Sequence, residues 1–234
     1  MEKIISLKRQ ARISGLLYLL LALTGLFGMW YVPSLIFTHE DASVLTDSIL
    51  QHETLYRLGI ISSLTCQVLF IFLVVSFYHL FKEVNRRQAR LMVAVVLVAV
   101  PVAFLNEINQ LAALVLLKKP ELLAAFDRGQ INSMVFLFRD MYFSGINIVE
   151  TFWGLWLLPF GILVYQSGFI PKIFGILLIF GCFSYLMASF FSIGFPEALE
   201  VISPVTSVTG SIGEFAIIFW LLIKGVRTPK VLLT

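Results

Sequence analysis

Charge is what this chain lacks most: Asp, Glu, Lys and Arg make up 13% of its 234 residues. A soluble domain usually carries about a quarter, so the charged coat is too thin to face water on all sides. Cysteine is nearly absent too. Cys66 and Cys182 both fall inside apolar runs and read as small hydrophobes, which excludes a disulfide framework. The three histidines show no ligand spacing; His39, Glu40 and Asp41 with His52 and Glu53 form no zinc pattern. There is no Gly-rich phosphate loop, no His-Glu-x-x-His or His-x-x-Glu-His pair, and no later His to serve Ser144-Gly145 as a dyad. The expectation is no metal and no cofactor. Enzymatic activity stays undecided, with the reading leaning against it. Nothing points to nucleic acid.

Apolar residues fill the space that charge leaves, at 59% of the chain with a mean hydropathy of +0.93. Runs of about 18 or more apolar residues recur, the length a helix needs to cross roughly 30 Å of hydrocarbon. They do not alternate in polarity, which excludes a spanning barrel. The fold class is all-α, a six-helix transmembrane bundle in a single domain, 1–234. The spans are expected at 13–32, 58–80, 91–117, 142–165, 173–193 and 205–223, separated by proline and polar clusters at Pro33, Pro120, Pro171 and Pro196 to Pro204. Lys3, Lys8, Arg9 and Arg12 precede the first run in the manner of a signal peptide. The run is long and no small-residue cleavage site follows, so it reads as a retained helix.

Basic residues set the orientation. With the N-terminus in the cytoplasm, the inner side collects Lys3, Lys8, Arg9, Arg12, the Lys82 to Arg90 loop, Lys172, Lys224, Arg227 and Lys230. The outer side keeps only Arg57, Lys118, Lys119, Arg128 and Arg139, so both termini are expected in the cytoplasm. Trp30, Tyr31, Tyr56 and Tyr142 read as anchors at the outer boundary. Asp47, Ile49 and Leu50 hint at a short helix in the first outer loop. Pro120 to Arg128, with Gly129 as its stop, reads as a short surface helix between spans three and four. No breaker interrupts the chain from Ile131 to Pro159, so the fourth helix is free to project beyond the lipid. Gly175, Gly181, Gly210 and Gly213 suit close helix contact.

The chemistry-bearing residues are acids in the wrong solvent. Glu107, Glu150 and Glu214 lie near the midpoints of their segments with no Lys or Arg at that depth. Placing a charge there costs from about 2.5 kcal/mol upward, so these acids either carry protons or share a cation. Asn106, Asn109 and Gln110 surround Glu107 at helical spacing. Asp140, Ser144, Asn147 and Thr151 form a stripe one turn from Glu150, and Ser203, Ser207 and Ser211 do the same for Glu214. Ser62, Ser63, Thr65 and Gln67 add polar groups on the second segment. The inner halves, such as Val68 to Val75 and Phe215 to Ile223, are apolar. The pattern points to a polar pocket facing outward and floored by carboxylates, with Glu107, Glu150, Glu214, Asn106, Asn109, Gln110, Asn147 and Gln67 as ligand-binding candidates.

Several stretches carry a family resemblance: Ala11-Arg12-Ile13-Ser14-Gly15-Leu16-Leu17-Tyr18, Glu53-Thr54-Leu55-Tyr56-Arg57-Leu58-Gly59-Ile60, the turn Tyr165-Gln166-Ser167-Gly168-Phe169-Ile170-Pro171-Lys172, and Gly213-Glu214-Phe215 through Trp220-Leu221-Leu222-Ile223-Lys224-Gly225. Together they resemble domain-of-unknown-function family 4386, bacterial multi-pass membrane proteins. The resemblance spans nearly the whole chain. It implies the cytoplasmic membrane of a bacterium and no particular reaction; Glu214 and Arg57 fall inside matching stretches, Glu107 and Glu150 do not.

Three readings of function stay open. One is binding or transport of a small cationic or polar ligand at the carboxylates. Another is an intramembrane enzyme acting on a lipid-like substrate, the carboxylates working as acid and base. The last is a non-catalytic accessory or immunity protein in which buried acids are interhelical glue. Membrane lipids are the expected partners, with a small cationic or polar ligand beside them on the first reading.

Overall fold

A computed structural model describes residues 2–38, 40–119 and 125–226. Helices α1 (Glu2–Gly25), α2 (Val32–Ile36), α3 (Ala42–Gln51), α4 (Glu53–Phe81), α5 (Arg86–Lys118), α6 (Arg128–Ser167), α7 (Lys172–Gly194) and α8 (Pro196–Ile223) follow in order, with a π-helical segment, Leu26–Tyr31, joining α1 to α2. The described residues contain no strand. Five stretches are long and apolar enough to cross a membrane: Ser6–Ile36, Glu53–Phe81, Arg86–Lys118, Arg128–Ser167 and Lys172–Gly194. The apolar part of α8 within the described residues is Thr209–Ile223. Side chains facing away from the protein are themselves apolar, with Trp30, Leu105, Phe190 and Ile193 between 62% and 68% exposed. That is the surface expected where lipid is the solvent.

Pro33 does not end the first helix as the sequence suggests. The chain widens into the π segment just before it, and Val32 N–H donates to Phe27 O rather than one residue nearer. Proline has no N–H and its ring crowds the carbonyl four residues back; a wider turn lets the helix pass it. Pro101 and Pro159 likewise sit inside α5 and α6. The expected short helix in the first loop is α3, capped by Asp41, whose carboxylate accepts from Ser43 N at 2.8 Å and Val44 N at 3.1 Å. Most of the expected Pro120 to Arg128 surface helix, residues 120–124, lies outside the described residues. Its supposed stop, Gly129, belongs to the first turn of α6, which Asp127 and Gln130 cap reciprocally: Gln130 N–H donates to Asp127 Oδ1 at 2.8 Å and Asp127 N–H to Gln130 Oε1 at 3.0 Å. With 40 residues α6 is about 60 Å long, about twice the hydrocarbon thickness.

The chain forms two compact units, the first from Met1–Leu20, Leu69–Val100 and Asn147–Thr234, the second from Leu21–Val68 and Pro101–Ile146. In the first unit, α6 and α7 cross at glycines: a Cβ on Gly161 would lie 2.7 Å from Gly175 O, and one on Gly175 2.6 Å from Gly161 O. Gly181 meets Gly210, and Gly213 meets the α7 backbone at Leu177, as the small-residue pattern anticipates. An aromatic stack fills the centre, with Phe77–Phe160 centroids 4.5 Å apart and Trp156–Phe160 5.0 Å apart. Gly225, at φ 67°, closes α8 by donating to Trp220 O at 3.0 Å.

The second unit has an apolar cap. Leu45 and Ile49 of α3 pack with Val32, Ile36, Tyr56, Ile60, Leu114 and Val135. Ion pairs surround it: Glu53 holds Lys118 at 2.5 Å and Arg57 at 2.8 Å, and Arg139 holds Asp140 at 2.9 Å and Glu40 at 3.3 Å. These acids of the first loop are therefore engaged by basic side chains or by a helix cap. Among the described residues no three His, Cys, Asp or Glu side chains gather as metal ligands; His39 lies outside them.

Candidate functional site

Glu214 sits on α8 in the first unit, Glu150 on α6 in the same unit, and Glu107 on α5 in the second. Asn147 belongs with the first unit; Asn106, Asn109, Gln110 and Gln67 belong with the second. No basic side chain forms an ion pair with any of the three glutamates among the described residues.

In the first unit, two phenols hold Glu214. Tyr18 of α1 donates its hydroxyl to Oε2, and Tyr185 of α7 donates to Oε1 at 3.1 Å. Each ring is fixed by its surroundings. Tyr18 is 1% exposed and meets Phe77 and Trp156 edge-on at 5.9 Å. Tyr185 runs between two glycines: a Cβ on Gly154 would stand 2.8 Å from Tyr185 Cβ, and one on Gly210 3.3 Å from its ring. Glu150 lies in the electrostatic reach of Tyr185, yet no hydrogen bond to its carboxylate forms among the described residues. The site thus presents one carboxylate oriented by hydroxyls and a second with its lone pairs available. Asn147 enters through its backbone, whose carbonyl accepts from Ser189 Oγ at 2.6 Å, while Thr151 Oγ1 meets the same Ser189 at 2.7 Å. That part of the expected stripe ties α6 to α7. The side chains of Ser203 and Ser207 lie outside the described residues.

In the second unit, Glu107 is 3% exposed, Gln110 4%, Asn106 8% and Gln67 2%. Gln110 Nε2 donates to Glu107 Oε2 at 2.8 Å. Asn106 Nδ2 donates to Tyr142 O at 3.0 Å, and Asn109 Nδ2 to Asn106 Oδ1 at 3.1 Å. Gly145 makes this possible, because a Cβ there would occupy the space of the Asn106 amide. Asn109 is half-buried, and α3 packs on the apolar part of the same unit. Tyr56 and Tyr142, expected as boundary anchors, are also buried, at 2% and 0% exposure. Tyr56 O–H instead donates to Gln110 O at 3.3 Å. Both rings turn inward because their helices present that face to neighbouring protein, and there the Tyr56 hydroxyl finds a backbone carbonyl.

Tyr18 and Tyr185 were not among the residues singled out from sequence. A signal existed in their position, since a tyrosine deep in an apolar helix, away from the interfacial belt, must bring its hydroxyl to a partner.

No curated protein matches this chain, and no solved structure does. A family model does, over residues 13–225, and the chain therefore belongs to the family described as Domain of unknown function (DUF4386).

Proposed function

We propose that this protein binds and carries a small organic cation, a protonated amine in the first instance, at Glu214 and Glu150. One observation carries the reading: Glu214, inside an apolar helix, is bonded by the hydroxyls of Tyr18 and Tyr185 and, among the described residues, by no cationic side chain. A carboxylate in that setting needs a positive charge or a proton. The nearby Glu150 supplies a second acceptor. The reading extends to six spans, with α8 as the sixth, both termini in the cytoplasm, a surface helix at residues 120–128 and residence in a bacterial cytoplasmic membrane. The unequal distribution of Lys and Arg supports that orientation.

Uptake of radiolabelled tetraethylammonium and methylammonium into proteoliposomes tests it. Saturable uptake is expected, reduced at least tenfold by Glu214→Gln and less by Tyr185→Phe, with no uptake of an uncharged isostere. Equal transport by wild type and Glu214→Gln, or equal transport of the uncharged isostere, would overturn it.

A further inference from the structure

The second unit holds polar atoms that its own hydrogen bonds leave over. Helix α4 sets Ser63 and Gln67 one turn apart on one face. Helix α5 brings Glu107, and α6 brings Tyr142. Ser63 and Tyr142 are 0% exposed and Gln67 is 2% exposed. The Ser63 hydroxyl faces both the Glu107 carboxylate and the Tyr142 hydroxyl. Yet among the described residues Ser63 Oγ, Tyr142 OH and Gln67 Oε1 are left without a hydrogen bond of good geometry. Gln110 occupies only Oε2 of Glu107. Native interiors rarely leave such atoms without a partner, and an ion or water is the usual reason. The π segment lies directly over this point: a Cβ on Gly28 would be 2.6 Å from Ser63 Oγ. Widened turns of this kind are frequent at functional sites.

The donor set identifies the occupant. Every available atom is an oxygen, which suits a hard cation and not zinc or copper. One carboxylate brings a single negative charge, which balances a monovalent ion. Water alone would satisfy the hydroxyls and leave Glu107 to carry a proton, whereas a cation lets it stay ionised. A carboxylate is also a strong-field ligand, which favours the smaller alkali ion. We propose that Glu107, Ser63, Gln67 and Tyr142 form an occluded sodium site. It is independent of the amine site at Glu214, since it uses none of the same side chains.

The full-length protein, purified in detergent and choline buffer, provides the test through binding of radioactive sodium and thermal unfolding with added salt. Saturable sodium binding is expected, with stabilisation by sodium that choline at equal ionic strength does not reproduce. Ser63→Ala and Gln67→Ala should each weaken the affinity about tenfold or more, given that even indirect partners of a bound ion contribute this much. Glu107→Gln should abolish binding and Glu214→Gln should leave it intact. Should Glu107→Gln fail to fold, the two alanine variants decide the matter. The proposal is overturned if wild type binds no sodium saturably, which would leave water as the occupant, or if Ser63→Ala and Gln67→Ala bind as wild type does. Loss of sodium binding in Glu214→Gln with retention in Ser63→Ala would also overturn it, by moving the ion elsewhere.

Discussion

The crossing of α6 and α7 at Gly161 and Gly175 makes a quantitative prediction. A Cβ added at Gly161 would lie 2.7 Å from Gly175 O and 2.8 Å from Ile179 Cγ1; one added at Gly175 would lie 2.6 Å from Gly161 O and 2.7 Å from Tyr165 N. Carbon and oxygen approach comfortably at about 3.3–3.6 Å, so each methyl intrudes by about 0.6 Å or more. The carbonyls and the amide are backbone and cannot rotate aside; the helices must separate. Overpacking of this kind costs about 1–3 kcal/mol, and both alanines should fall in the upper half of that range. Their effects should not add. Both push the same two helices apart, so the double variant should be less destabilised than the sum, by at least ~0.5 kcal/mol. Gly194 is the control, because a methyl added there would meet nothing within 4 Å; alanine at that position should be neutral or stabilising by up to about 1 kcal/mol through helix propensity. Reversible unfolding in mixed micelles, followed by circular dichroism, measures all four variants against wild type. Equal stability of Gly161→Ala and Gly194→Ala, or full additivity of the pair, would refute the packing argument.

Other consequences can be checked separately. Tyr18→Phe removes one of the two donors to Glu214 and should cost about 0.6–1.7 kcal/mol, the range of interhelical hydrogen bonds in membranes, measured in the same unfolding assay. Asp41→Ala deprives α3 of its N-cap and should cost about 1 kcal/mol; the faster amide exchange should be confined to α3, and Asp41→Asn should restore much of the loss. Cys66 and Cys182 are thiols outside any disulfide, at 5% and 1% exposure, so neither should react with a maleimide until the protein is unfolded. Labelling of either in the native protein at the rate of an exposed thiol would contradict their burial.

Much of the architecture is legible in the sequence because lipid imposes a simple rule on length and polarity. The long runs became helices, Asp47, Ile49 and Leu50 marked α3, and the absence of a breaker after Ile131 anticipated the length of α6. What was not legible depends on pairs distant along the chain. Tyr18 meets Glu214 across 196 positions, a separation at which no periodicity links them. Tyr56 and Tyr142 look like boundary residues by depth, and only the rotation of their helices, set by neighbours, turns them inward. Pro33 has the local signature of an end, yet the widened turn before it carries the helix on to Ile36.

That turn also sets how the first span tolerates changes in length. A bulge of this kind holds one residue more than a regular helix needs. Deleting a residue from Leu26–Tyr31 would let the rod rewind evenly, and Val32 and Ile36 would keep the angular phase at which they are now buried. Smoothing the bulge at constant length has the opposite effect. Each residue of an α-helix advances by about 100°, so the flanking segments would fall out of phase by about that angle, and apolar side chains made for the protein interior would swing toward its perimeter. A shorter chain would preserve the fit that a straighter one destroys.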